Sequence, residues 1–388
     1  MVLDKYSHLK EEIEKCIYSI LTIESITVDI CEEIREKIEH NLFNLVVLGQ
    51  FKRGKTTLIN ALLGAEILPT AVVPLTSIAT ILTYGDTLNI KVYFNDGRVT
   101  EIDLASLPGY VTEKGNPRNE KDLQEVIITY PSSYLKDGVR LIDTPGVGSV
   151  YEHNTDVAYQ YLPKSDAALF LLSVDQPLSK AELDFLKDVR EYSNRIFFLL
   201  SKADYFSEPD LRESMEFSTD VLTKAMETEV RIFPVSAKLA LEGKISGNEA
   251  LVNKSLLPQF SEVLNNFLME EKGKILIISV ANNLLRLISQ ARFALELEMK
   301  SLFTPLEELR EKINIFEKKE KDVLTEKSDF DLLLDAEIKK IINNVLEEDL
   351  RVFRQELILK VSEILENRYK EYSDMSLRKL RERLEQEG

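Results

Sequence analysis

The spacing of apolar and polar positions changes twice along the chain. Over residues 5–40, Leu9, Ile13, Cys16, Ile17, Ile20, Cys31, Ile34 and Ile38 recur at helical intervals, with Glu and Lys filling the gaps. That pattern predicts one long amphipathic helix, or two with a break near Thr27–Asp29, where β-branched residues crowd the backbone. From Phe43 to about Leu268 it gives way to short apolar runs at Leu45–Leu48, Val139–Ile142, Ala168–Leu172, Ile196–Leu200 and Val230–Val235, each followed by turn residues. Runs this short and this uniformly apolar suit buried strands. Alternating with helical segments, they predict a mostly parallel, doubly wound α/β sheet. Asn89–Phe94 and Arg98–Ile102 alternate instead, and Asn95-Asp96-Gly97 between them signals an inserted hairpin. Leu107–Lys121, with its glycines and prolines, reads as loop with a short helix. Beyond Lys272 the helical period returns in three segments. They run from about Ile275 to Phe303, from Leu306 to about Val323, and over a last long stretch from Leu334 to Ile364 and beyond. The expected divisions are therefore a helical segment over 1–42, an α/β domain over 43–270 and a helical bundle over 271–388.

Charge and cysteine content narrow the classes. A chain of 388 residues exceeds one ordinary core, so more than one domain is expected. A net charge of −17 disfavours broad nucleic-acid binding, which needs a basic face. It disfavours anionic membranes less, because a local basic patch can sit within an acidic total. If Cys16 and Cys31 lie on one helix they are ~22 Å apart, too far to bridge, and they read as reduced core thiols. No secretory leader pattern and no apolar stretch of about 18 residues occurs, so a soluble, cytoplasmic protein is expected.

Gly49-Gln50-Phe51-Lys52-Arg53-Gly54-Lys55-Thr56-Thr57 stands between the Leu45–Leu48 run and a helically spaced segment. This is G-x-x-x-x-G-K-T in its expected setting. Its glycines let backbone N–H groups turn toward phosphate oxygens, Lys55 reaches the β- and γ-phosphates from an expected solvent-facing position, and Thr56 can ligate Mg²⁺. The helix N-terminus adds partial positive charge.

Four further motifs follow in order. Thr76, in Pro74-Leu75-Thr76, is a candidate to complete the Mg²⁺ shell and sense the γ-phosphate. Asp143-Thr144-Pro145-Gly146 ends a strand, with Asp143 holding a metal-bound water and the Gly146 N–H touching the γ-phosphate. In Ser201-Lys202-Ala203-Asp204, the Asp204 carboxylate can accept from guanine N1–H and the 2-amino group, which adenine lacks, while the Lys202 stem lies over the purine. The first position is more often Asn or Thr, so Ser201 keeps only the hydroxyl. In Ser236-Ala237-Lys238, the Ala237 N–H can reach guanine O6. Each motif alone is weak; five in order, after strands, indicate a GTP-binding domain.

Sixty-seven residues separate Thr76 from Asp143, far more than in small regulatory GTPases. With residues 49–64, Leu68-Pro69, Pro74-Leu75-Thr76-Ser77, Leu141–Ser149, Asp175–Ser179 and Glu182, the chain resembles the dynamin superfamily, specifically the mitofusin-related bacterial and archaeal dynamin-like proteins. The resemblance implies a GTPase whose flanking helices pack as a neck and whose catalysis is completed in a dimer, coupled to membrane remodelling or tethering. It implies self-association and membrane lipid as partners, beside the Mg²⁺ that Thr56, Thr76 and Asp143 would hold and the absence of nucleic acid that the acidic charge favours. Val147 stands at the position a water-orienting glutamine would take, which leaves Lys52 or Arg53 to supply a catalytic cation. No membrane-touching paddle is evident. The turn at Ser301–Pro305 is the one candidate, read as core or hinge, and the chain is short for the group. A ribosome- or tRNA-associated switch GTPase is disfavoured by the insertion and the acidic charge. A nucleotide-gated scaffold, whose helical bundle binds a protein partner without remodelling membranes, stands as the alternative.

Overall fold

In a computed structural model, residues 2–21, 28–70, 78–147, 152–303, 310–325, 327, 353–357 and 360 are described. Two helices, α1 (Val2–Leu21) and α2 (Val28–Glu39), precede β1 (Phe43–Gly49) and α3 (Lys55–Leu63). Then follow β2 (Thr80–Tyr84), β3 (Asn89–Phe94), β4 (Val99–Ile102), α4 (Pro108–Val111), β5 (Leu123–Tyr130) and β6 (Val139–Asp143). The alternation continues through α5 (Glu152–Tyr161), β7 (Ala167–Ser173), α6 (Lys180–Tyr192), β8 (Arg195–Ser201), α7 (Glu208–Met226) and β9 (Ile232–Val235). Helices α8 (Ala237–Ser246), α9 (Glu249–Lys254), α10 (Leu257–Glu270) and α11 (Lys272–Phe303) complete it.

The nine strands form one sheet in the order β4-β3-β5-β2-β6-β1-β7-β8-β9. Strands β6, β1, β7, β8 and β9 pair in parallel, with β1 between β6 and β7. Strand β2 enters antiparallel to β6 and carries β5 in parallel, and the β3–β4 hairpin joins β5 antiparallel. The fold is thus a mostly parallel α/β sheet with an inserted hairpin. The sequence reading found the hairpin but not β2 or β5, which splice it into the sheet.

The central strands are apolar throughout because both faces are covered. Leu45, Val47, Leu169, Leu171, Phe197 and Leu199 pack on one side, in one core with residues of α1, α2, α3, α8, α10 and α11. Val46, Leu48, Ala168, Phe170, Phe198 and Leu200 pack on the other, against α5, α6 and α7. Ile17 and Ile20 of α1 and Ile34 and Ile38 of α2 share a core with Leu276, Val280, Leu284 and Leu287 of α11. Phe267 carries that core into the sheet, meeting Phe43 and Phe197 edge-on at 5.9 and 5.1 Å between ring centroids.

Two compact units result, Met1–Leu295 and Glu296–Gly388, with the division inside α11. In the second, residues 310–325 are helical, as expected for the segment from Leu306 to Val323. Most of the last long stretch, and Thr304 and Pro305 of the candidate turn, lie outside the described residues. Cys31 is buried, but Cys16 is exposed and so is not the core thiol expected; both are free. Among the described residues no helix is long and apolar enough to cross a membrane.

Candidate nucleotide-binding site

The site forms where the parallel strands end. Gly49 of β1 pairs with Leu171, Val47 with Asp143, and Ser173 with Ser201, so the motifs converge on one edge of the sheet. Ligand crevices of open α/β sheets lie outside these carboxyl ends.

Gly49 leaves β1 at φ 142°, and a Cβ there would lie 2.6 Å from the Leu171 carbonyl oxygen. Only glycine lets the loop cross β7 so closely. Gly54, at φ 88°, caps α3 without any side chain over the first helical amides, which leaves them available to an anion. Lys55 is only 8% exposed. Its Nζ donates to the Gly49 and Gln50 carbonyl oxygens at 3.0 and 3.3 Å. Burial lowers its pKa to about 8, against the opposing pull of Asp143 and Glu182. The expected solvent-facing lysine is therefore corrected: the loop folds over it, and a phosphate would have to replace its two carbonyl partners.

Thr56 Oγ1 donates to Asp143 Oδ2 at 2.9 Å, joining α3 to the end of β6. A hydroxyl and a carboxylate oxygen at this point are the hard donors Mg²⁺ prefers, and Mg²⁺ takes few protein ligands because it keeps waters and phosphate oxygens. These residues fit that ion. The described residues hold no cluster of three or more His, Cys, Asp or Glu that would cage a metal instead. Thr76, the other expected ligand, lies outside the described residues.

Gly146 passes against the phosphate loop, where an added Cβ would sit 2.7 Å from the Phe51 backbone nitrogen. Val147 bridges to the same loop. The Phe51 N–H donates to its carbonyl at 3.3 Å and its own N–H donates to the Gly49 carbonyl at 3.4 Å. Its side chain is buried in the core between sheet and helices. Position 147 thus serves packing, whichever residue orients water.

The base-reading motifs line a cavity of about 390 Å³ that includes Gly54, Thr57, Lys202, Asp204, Ala237 and Lys238. Asp204 is exposed there, in a 3₁₀ turn after β8. Lys202, at φ 60°, directs its Nζ to Asp175 Oδ2 at 2.7 Å. Ser201 is buried, and its Oγ donates to the Arg53 carbonyl at 2.6 Å. A serine here ties the base motif to the phosphate loop. Ser236 caps α8 by accepting from the Leu239 N–H at 3.3 Å, which places Ala237 at the helix start. Lys238 is exposed, 3.9 Å from Glu242.

The two candidate catalytic cations separate. Lys52 is exposed, its Nζ 5.2 Å from the Phe51 ring centroid. Arg53 is 1% exposed and ion-paired with Glu182, which itself is fully buried. Its Nη1 donates to the Gln176 carbonyl at 2.8 Å, and its Nη2 to the Pro177 carbonyl at 3.2 Å and Gln50 Oε1 at 3.4 Å. A guanidinium so occupied cannot reach a transferring phosphoryl group, so the candidacy of Arg53 is withdrawn and Lys52 keeps it.

Sequence reasoning missed the roles of Asp175 and Glu182, although Ser179-x-x-Glu182 is a legible capping box and the structure contains it. It also missed Asn60, buried on α3. That side chain accepts from the Leu68 N–H at 2.9 Å and donates to the Leu68 carbonyl at 2.8 Å, holding the chain that leads toward Thr76. A lone polar residue on the inner face of α3 was its only signal.

The Dynamin family profile matches residues 45–203. The chain is 40% identical over 370 residues to an uncharacterized protein encoded 3′ of xynA in Caldicellulosiruptor sp. (strain Rt8B.4), covering 95% of this chain and 91% of that one. It is 27% identical to the bacterial dynamin-like protein of Nostoc punctiforme over 65% of this chain, but spans only 40% of that protein. Among solved structures, one reported as an oligomerised bacterial dynamin pair that senses and tethers membranes superposes with a TM-score of 0.51 at 20% identity. It covers 96% of this chain and 58% of that one, a likeness of fold. The phosphate loop and the Thr56–Asp143 pair lie within the matched residues 45–203, and the base cavity opens at the same sheet edge beyond them; the chain is a member of the dynamin superfamily of GTPases.

Proposed function

We propose that the protein hydrolyses GTP to GDP and phosphate, that turnover is switched on when two copies close their nucleotide faces, and that the cycle drives membrane tethering or remodelling. The observation that carries the nucleotide half is the continuity of the site. One cavity runs from Gly54 and Thr57 of the phosphate loop to Asp204 and Ala237 of the base motifs.

In this reading the loop amides and the α3 N-terminus cradle the phosphates, and Lys55 exchanges its carbonyl partners for β- and γ-phosphate oxygens. Thr56 and Asp143, with Thr76, hold Mg²⁺, which neutralises charge on those oxygens when bound. The Gly146 N–H contacts the γ-phosphate. Asp204 accepts from the guanine N1–H and 2-amino group. A water oxygen bonds to the γ-phosphorus as the bond to the β,γ-bridging oxygen breaks. With Val147 packed inward, no side chain at that position orients the water, so a separate molecule is slow. Closure of a second copy over the site excludes solvent and fixes Lys52 against the phosphates, where a cation is worth roughly 10³-fold or more in rate.

The membrane half is supported by the neck, in which α1, α2 and α11 share one core, and by the tethering reported for the oligomerised bacterial dynamin pair. Vesicle flotation tests it. Mixed neutral and anionic liposomes should carry the protein up a density gradient with a non-hydrolysable GTP analogue and much less with GDP. Concentration-dependent GTP hydrolysis without flotation on either lipid would instead identify a nucleotide-gated scaffold.

A further inference from the structure

We propose that the buried Arg53–Glu182 pair couples the phosphate half of the site to the base half, so that guanine selectivity depends on two side chains turned away from the nucleotide cavity. The proposal rests on the GTP reading above.

The pair closes a ring through three elements. Arg53 Nε and Nη2 reach both carboxylate oxygens of Glu182, at 2.9 and 2.7 Å. Glu182 also accepts from the Ser179 N–H and Oγ at 3.0 and 3.1 Å, which locks the first turn of α6. The carbonyls of Gln176 and Pro177 accept from Nη1 and Nη2. Next to them in the chain, Asp175 accepts from Ser173 and pairs with Lys202 of the base motif. Ser201, the neighbour of Lys202, returns to the Arg53 carbonyl. From the Arg53 side chain the ring runs through residues 175–182 to Lys202 and Ser201, and back to the Arg53 backbone. Neither the phosphate loop nor the Ser201–Asp204 turn can shift without moving the other.

Energetics favour a positioning role over simple stabilisation. Two charges taken fully out of water recover little net stability, and an apolar pair of similar volume often serves a fold as well. What an apolar pair cannot do is fix the loop by a planar fork that meets a carboxylate and two carbonyls at once. A lysine, as a point charge, cannot do so either. The ring is worth its desolvation if the relative placement of the two half-sites matters, and the ligand that feels this is a guanine nucleotide bound at both ends.

The test compares the parent with R53K, E182Q and the apolar double variant R53M/E182L. Thermal midpoints are recorded, with affinities for GTP and for inosine triphosphate, which lacks the 2-amino group. The parent is measured first. If it shows no preference for GTP, the nucleotide reading fails and this proposal with it. Given a parental preference, R53M/E182L should stay folded yet lose about tenfold in GTP affinity and at least about threefold in its GTP-over-inosine ratio, the scale of coupling between groups sharing one network. R53K and E182Q should move the ratio the same way, which decides the matter should the double variant fail to fold. Folded variants with the parental ratio would overturn the proposal, whether both affinities are kept or both fall equally.

Discussion

At Lys55 the fold encloses an ammonium beneath two carbonyls and lowers its pKa from 10.5 to about 8. Between those values the unfolded chain binds more protons than the native one, so stability rises with pH across that window and the cost of the buried charge is fully present below about pH 8. In the nucleotide-free protein Lys55 should therefore contribute a rise in the denaturant midpoint as pH climbs from 8 toward 10.5, read as the difference between the parent and a variant lacking the ammonium. Lys55→Met should remove that contribution to the slope, keep the fold and abolish GTP binding. Bound phosphates favour the charged lysine, so GTP affinity should be flat below about pH 8 and then fall by about tenfold per pH unit. Isothermal titration at several pH values checks this, and an affinity that stays flat would show that Lys55 does not meet the phosphates. At the other end of the cavity, Asp204→Asn should weaken GTP and favour xanthosine triphosphate, because the amide can donate to the extra carbonyl. Equal parental affinity for ATP and GTP would remove Asp204 from base reading.

Among the elements, the shared core of α1, α2 and α11 is the place where sequence pattern and packing meet most directly. The stripe Ile34–Ile38 of α2 is buried with Leu276, Val280 and Leu284 of α11, all in the core shared with the sheet. Ile34→Asp places an unpaired charge in that core and should cost about 3–5 kcal/mol, read as a drop in the urea midpoint. Removing residues 1–40 should bare the α11 face and cause aggregation, seen by light scattering. A monodisperse deletion variant as stable as the parent would mean the segments do not depend on each other. The helical spacing made α1, α2 and α11 legible, since a stripe at 3.6 residues survives whatever covers it. Strands β2 and β5 were not. Leu123–Tyr130 mixes exposed and buried positions because β5 lies between β3 and β2, in the part of the sheet with less cover. Its partners are set by chain reversal around the hairpin, which no local period records.

At the scale of the whole molecule, a charge of −17 opposes the approach of a second copy. Specific GTPase activity should nonetheless rise with protein concentration, and the rise should move to lower concentration as salt is raised from about 0.05 to 0.3 M and the repulsion is screened. GDP with aluminium fluoride should give dimers that GDP alone does not, and Lys52→Ala should lower kcat with little change in nucleotide affinity. Constant specific activity over a hundredfold range, with Lys52→Ala fully active, would contradict dimer-driven turnover.

What the sequence determined by itself is the chemistry that needs neighbours in the chain. A phosphate loop is nine contiguous residues after a strand, a base-reading motif is four, and the both-face burial of β1, β7 and β8 is written in unbroken apolar runs. Tertiary structure decided what depends on distant partners. Lys52 and Arg53 are adjacent and equally cationic, yet Glu182, far along the chain, buries one of them and leaves the other exposed. Ser201 reads locally as a weakened base contact, yet its hydroxyl donates to the Arg53 carbonyl at 2.6 Å. Local sequence specifies which groups are present and which backbone turns are allowed; only the closing of long loops brings a charge to its counter-charge and settles which groups remain free to act.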